Sequence, residues 1–146
     1  MMRSNLYDTD FYGWTQQQAE LLKDGRLSDL DVMHLMEEVE FMGGGERREL
    51  ESRLELLFMH LLKWKFQPSH QGKSWELTIK EQRRKITRHL EKNPSLKSRL
   101  DEIARESYDD AILSAARETS LDENEFPEKM PWTLQQALET DYLPLP

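Results

Sequence analysis

Leu50, Leu54, Leu57, Leu61 and Trp64 recur at steps of four, three, four and three. That spacing returns to one face of an α-helix and scatters over both faces of a strand. Phe58 and Leu62 widen the stripe, so the segment predicts a helix from about Glu46 to Phe66 with a broad face to bury. Acids lead it (Glu46, Glu49, Glu51) and lysines close it (Lys63, Lys65), the order a helix dipole favours. Gln67-Pro68 ends it, because the residue before proline avoids helical geometry. So apolar a helix needs covering faces from the rest of the chain.

The same periodicity supplies them. A first helix is expected over 8–24, capped by Asp8 or Asp10, with Phe11, Trp14, Ala19, Leu21 and Leu22 as apolar bulk. Thr15 followed by Gln18 also fits a capping box, which would start it later, and Asp24-Gly25 closes it. A second helix begins near Ser28 or Asp31. It carries Leu35, Val39 and Met42 at core spacing, with Val32 and Met36 beside them. Gly43-Gly44-Gly45 is expected to stop it, since each glycine costs about 1 kcal/mol relative to alanine. A fourth helix spans Ser74 to Lys92 with Trp75, Ile79, Ile86 and Leu90 inward, and Asn93-Pro94 breaks it. A fifth runs from about Ser95 to Thr119 on Leu96, Leu100, Ile103, Ala104, Tyr108, Ala111, Ile112 and Ala115.

Residues 120–146 hold four of the six prolines and a capping box, Thr133-Leu-Gln-Gln136. Phe126, Met130, Trp132, Leu134, Leu138 and Tyr142 make this tail too apolar to float free. The expected fold is therefore all-α. It is one domain over 1–146, an antiparallel bundle of about five helices (8–119) with a proline-rich C-terminal strap (120–146) packed across it.

Composition narrows function. With no cysteine, disulfides, thiolate metal sites and a cysteine nucleophile are excluded. The opening MMRSNLYDTD lacks the apolar run of a signal peptide, and no stretch approaches the roughly 20 apolar residues of a membrane helix. A soluble, cytoplasmic protein with no membrane partner is the expectation. The net charge of −8 is uneven. Residues 60–92 hold nine basic side chains against three acids, a local +6, which leaves −14 on the remainder.

Several motifs run in order along the chain: Tyr7-Asp8-x-Asp10-Phe11-Tyr12-x-Trp14-Thr15; Asp31 with Glu37-Glu38-Val39-Glu40; Glu46-Arg47-Arg48-Glu49-Leu50; and His60-Leu61-Leu62-Lys63-Trp64. Pro68, Ser74-Trp75, Gln82-Arg83-Arg84, Pro94-Ser95-Leu96, Tyr108 with Ala111, Phe126-Pro127 and Pro131-Trp132 complete the series. Together they resemble a bacterial family, abundant in cyanobacteria, catalogued as a domain of unknown function (number twenty-nine). The resemblance implies an all-helical bundle of this length and no established activity, cofactor or substrate.

Four polar side chains edge into apolar faces: Glu38, His60, Lys63 and Arg83. A buried charge needs a partner, so a Glu38–Arg83 or Glu38–Lys63 network with a capped His60 is expected to fix helix register. The rival reading makes the same four a ligand pocket or an acid–base pair in a small enzyme. No Glu-x-x-His supports a di-metal bundle site, so neither metal nor cofactor is expected. Lys80, Arg84 and Arg88 form a basic ridge that could meet an anionic partner, nucleic acid included. The preferred expectation is a non-enzymatic protein–protein interaction module, an adaptor or the neutralising partner of a two-gene system.

Overall fold

A computed structural model describes residues 6–146; residues 1–5, the start of the MMRSNLYDTD opening, lie outside the described part. The described chain contains no strand. Its α-helices are α1 (Leu6–Thr9), α2 (Phe11–Lys23), α3 (Val32–Phe66), α4 (Lys73–Lys92), α5 (Leu100–Glu118) and α6 (Leu134–Leu138), with short 3₁₀ turns between them. The chain divides into two compact units, one ending at Gly45 and one running from Glu46 to Pro146.

The larger unit is the bundle that the leucine stripe calls for. Leu50, Leu54, Leu57, Phe58, Leu61 and Leu62 are fully buried on α3, against Ile79 and Ile86 of α4 and Ile103, Tyr108, Ala111 and Ala115 of α5. Each large side chain so buried stabilises the fold by roughly 1.5–3 kcal/mol. Ion pairs tie its helices from outside, with Arg47 of α3 reaching Glu106 of α5 at 3.1 Å. The tail packs back as expected. Phe126 and Trp132 are buried, Tyr108 donates to the Pro127 carbonyl at 2.6 Å, and Thr133 and Gln136 form the reciprocal capping box.

In the smaller unit, Asp10 caps α2 by accepting from the Gly13 amide at 3.0 Å. The Thr15–Gln18 alternative does not form: Thr15 bonds back to the Tyr12 carbonyl, and Gln18 is buried mid-helix. Gly25, at φ +70°, ends α2 in the left-handed conformation glycine tolerates best.

The glycine triplet does not stop a helix. Gly43, Gly44 and Gly45 lie inside α3, which runs 35 residues, so the expected second and third helices are one. Three glycines cost about 3 kcal/mol. Propagation outweighs this, because each added residue contributes a further backbone hydrogen bond to a helix already nucleated on both sides. A methyl group on Gly43 would meet nothing within 4 Å. Gly43→Ala is therefore expected to stabilise the protein by about 0.5–1 kcal/mol, read as a higher urea midpoint at unchanged slope. A lower midpoint would mean that this stretch needs glycine's freedom.

A second correction concerns α5. The Pro94–Arg99 segment winds as a 3₁₀ helix, and the α-helix begins only at Leu100 rather than near Ser95. Proline's missing amide and fixed φ suit such a tight opening turn.

Candidate functional site

Within the larger unit, His60, Lys63 and Arg83 are all buried, at 9, 8 and 5% exposure. Each has a partner inside the unit. His60 Nδ1 donates to the Leu56 carbonyl at 3.0 Å, and burial pulls its pKa down. The Lys63 ammonium meets Glu118 at 2.9 Å and lies 4.7 Å over the Trp75 ring. The Arg83 guanidinium donates to three tail carbonyls: Ala137 at 2.8 Å, Thr140 at 3.3 Å and Tyr142 at 2.6 Å. Burial lowers its pKa, opposed by Asp141 and Glu139.

Glu38 lies in the smaller unit, half-buried, near the Tyr7 phenol, whose pKa is raised by desolvation and by this carboxylate. Inside the larger unit Arg83 and Lys63 each have partners other than the expected glutamate. Arg83 ties the strap to α4, and Lys63 ties α3 to α5. Within the larger unit His60, Lys63 and Arg83 share no hydrogen-bond partner.

Lys80, Arg84 and Arg88 are exposed on α4. With Leu77, Glu81 and Lys85 they line a shallow cleft of about 380 Å³, in which Lys85 pairs with Glu81 at 2.7 Å. No aromatic side chain lines it. A second open cleft, of about 660 Å³, lies between α5 and the tail, with Tyr108, Met130, Trp132 and Leu134 among its apolar walls. Charges of both signs surround it, Arg105 and Lys129 against Asp101, Asp109 and Glu128. Glu46, Glu49 and His89 also gather. The His89 ring is held on both edges by protein oxygens, Nε2 by the Glu46 carbonyl at 2.8 Å and Nδ1 by Glu49 at 2.5 Å. It staples α4 to the start of the larger unit's α3 segment.

The densest polar network in the smaller unit involves residues that sequence reasoning passed over. Asp31, just before α3, accepts from the Trp14 indole N–H at 3.0 Å and sits 2.6 Å from His34 Nδ1. Its own amide donates to Gln18 at 2.8 Å. Tyr7 stacks on the His34 ring at 3.9 Å and meets Trp14 edge-on at 4.8 Å. A signal for part of this was available. An aspartate ahead of a helix with a histidine three residues on is a side-chain N-cap pattern, and the His34 amide lies 3.5 Å from Asp31 Oδ1.

The electrostatics follow the geometry. The hydrogen bond that His34 donates to Asp31 raises the His34 pKa against some desolvation. Partial burial pushes Asp31 up, but the bonds from His34 and Trp14 outweigh it and hold its carboxyl below its ordinary value. An aspartate-held imidazole is one half of a general-base arrangement. Here Tyr7 covers the ring, which makes the pair a clamp between α1, α2 and α3.

The two histidines therefore respond to pH with opposite sign. The raised pKa of His34 gives stability that is full below the unfolded value, about 6.5, and is lost as pH rises through the folded value. The depressed pKa of His60 gives stability present above about 6.5 and lost as pH falls through its folded value. Proton NMR titration, assigned with His34→Gln and His60→Gln, should place His34 above and His60 below the unfolded histidine value. A reversed order would remove the Asp31 clamp from the account.

What the clamp leaves outside matters most. Trp14 and Gln18 are the only buried side chains described in the smaller unit. Of the thirteen exposed large hydrophobics among the described residues, ten lie between Phe11 and Met42, while the side chains packed in the unit are polar and aromatic. On α3, Val32, Met36 and Val39 are 65, 54 and 64% exposed and fall on one helical face, with Met33 and Met42 on its flanks. The expectation that Val32, Met36, Val39 and Met42 face a core is thus overturned. The inward side of this part of α3 is Asp31, His34, Leu35 and Glu38, all half-buried.

No helix among the described residues is long and apolar enough to cross a membrane. The family model described as "Domain of unknown function DUF29" matches residues 6–143, nearly the whole chain. The chain belongs to that family. No curated protein and no solved structure matches it.

Proposed function

We propose that this member of the DUF29 family is a protein–protein interaction module whose binding face is the outer side of the α3 segment before the glycine triplet. The observation that carries this reading is the exposed row Val32, Met36, Val39 with Met33 and Met42 beside it. Scattered exposed hydrophobics need no explanation, but a contiguous apolar row edged on one side by the acids Glu40 and Glu37 is the usual mark of an interface. The alternatives have weaker support. The candidate catalytic side chains His60, Lys63 and Arg83 are each taken up by structural partners. The ridge Lys80–Arg84–Arg88 has charge but lacks the exposed aromatics on which single-stranded nucleic acid stacks.

Two measurements test the reading. Val32→Ser/Met36→Ser/Val39→Ser should leave the urea midpoint nearly unchanged, within about 0.5 kcal/mol per site, because these side chains are exposed. A photo-crosslinking residue at Met36 should capture a discrete protein in the host cell, and one at Lys97 should not. Loss of several kcal/mol in the triple variant, or no adduct from Met36, would reject the interface.

A further inference from the structure

We infer that the partner this face takes is a basic amphipathic helix of another protein; the inference rests on the interaction reading above and adds the partner's chemistry.

Three observations lead there. The first is the form of the face. Val32, Met36 and Val39 stand at steps of four and three on a regular helix whose backbone groups are already paired, so no strand can be added along it. The surface complementary to such a row is another row at helical spacing, packed ridge into groove. Exposed Gly43 continues the same face and presents no side chain to hold a partner away.

The second is charge. Residues 1–45 hold nine carboxylates against three basic side chains. One of those bases, Arg26, is paired with Asp29 at 2.8 Å. Glu40 and, further round the helix on the same side, Glu37 are exposed along one edge of the row. Bringing up a second acidic face would add like charge at contact distance, whereas lysines and arginines along one edge of a partner's apolar stripe would find the carboxylates of Glu40 and Glu37 on that side. A second copy of this chain is a poor fit for that reason. Its acidic face repels its twin. Its basic ridge on α4 offers Leu77 as the one exposed large hydrophobic described on that helix, too little to cover the row.

The third is softness. Met36 in the row and Met33 and Met42 on its flanks make three of the five exposed apolar side chains of this face. Methionine is unbranched and polarisable and repacks against differing apolar shapes, so the face suits a class of helices rather than a single sequence.

The experiment uses the full chain and three fluorescent 18-residue probes: an amphipathic Leu/Lys helix, its Leu/Glu counterpart, and a shuffled Leu/Lys peptide of the same composition. Anisotropy titrations at low and high salt are read beside sedimentation velocity of the protein alone. The Leu/Lys helix should bind at micromolar concentration, at least tenfold tighter than either other probe, and weaken at least fivefold in high salt. Val32→Ser/Met36→Ser/Val39→Ser should weaken it more than tenfold. Glu37→Gln/Glu40→Gln should weaken it severalfold and flatten the salt dependence. Equal binding of the Leu/Glu helix would overturn the charge assignment while leaving the interface standing. Leu/Lys binding that ignores the serine variant would place the peptide elsewhere and overturn the inference. Reversible dimerisation abolished by the serine variant would give the face to a second copy. Absence of any peptide binding, with the Met36 crosslink still forming in cells, would reject the basic helix and retain the module.

Discussion

Arg83→Met is expected to release the C-terminal strap and to cost about 3–5 kcal/mol, because three backbone carbonyls lose a charged donor worth about 1.5–3 kcal/mol per bond, part of which water restores. The guanidinium is 5% exposed and gives all its described hydrogen bonds to the carbonyls of Ala137, Thr140 and Tyr142. Methionine keeps the stem's packing and removes the fork, leaving three tail carbonyls to find water. Lysine should recover only part of the loss, because an ammonium cannot span three acceptors arranged for a planar fork. Urea unfolding measures the cost, and limited tryptic cleavage at Lys129 measures the release. Cleavage as slow in Arg83→Met as in the wild type would show that the strap is held by its apolar contacts alone.

Phe58→Ala should be comparably damaging, again about 3–5 kcal/mol, because a large cavity would open at the centre of the larger unit. Phe58 is fully buried and packs against the rings of Tyr108 and Trp132, at 6.2 and 6.1 Å between centroids. The near-ultraviolet circular dichroism of those two rings should weaken with it, since their asymmetric packing depends on Phe58. A change below about 1 kcal/mol would mean that the site collapses around the alanine without strain. Set beside the near-neutral serine variant of the outer face, the two α3 substitutions separate the helix into a stretch that folds the protein and a stretch free to bind.

How legible this was depended on range. The α3 stripe, the Thr133–Gln136 capping box and the burial of Arg83 rest on local spacing, and local spacing is written in the sequence. The partners of Arg83 were not legible. They are backbone carbonyls 54 to 59 residues away, and every residue carries a carbonyl. For Glu38, the neighbour inside its own unit is the Tyr7 phenol, which spacing along α3 does not reveal. The Asp31–His34 contact was within reach of local reasoning. The Trp14 and Tyr7 contacts that complete the clamp depend on how two helices meet.

By itself, the sequence determined that the chain is helical, where most helices start and end, which residues form the core of the larger unit, and that the tail returns to cover it. Each of these follows from periodicity and capping, which act over one or two helical turns. Tertiary structure decided the continuity of α3 through three glycines and, above all, the side of its first turns that would be buried. A helical row of Val, Met and Val announces a face that favours burial; it carries no information on what will cover it. In this chain Trp14, Gln18, Asp31 and His34 satisfy one another so well that the polar side packs inward. The apolar row is left exposed, and that choice makes it the candidate interface.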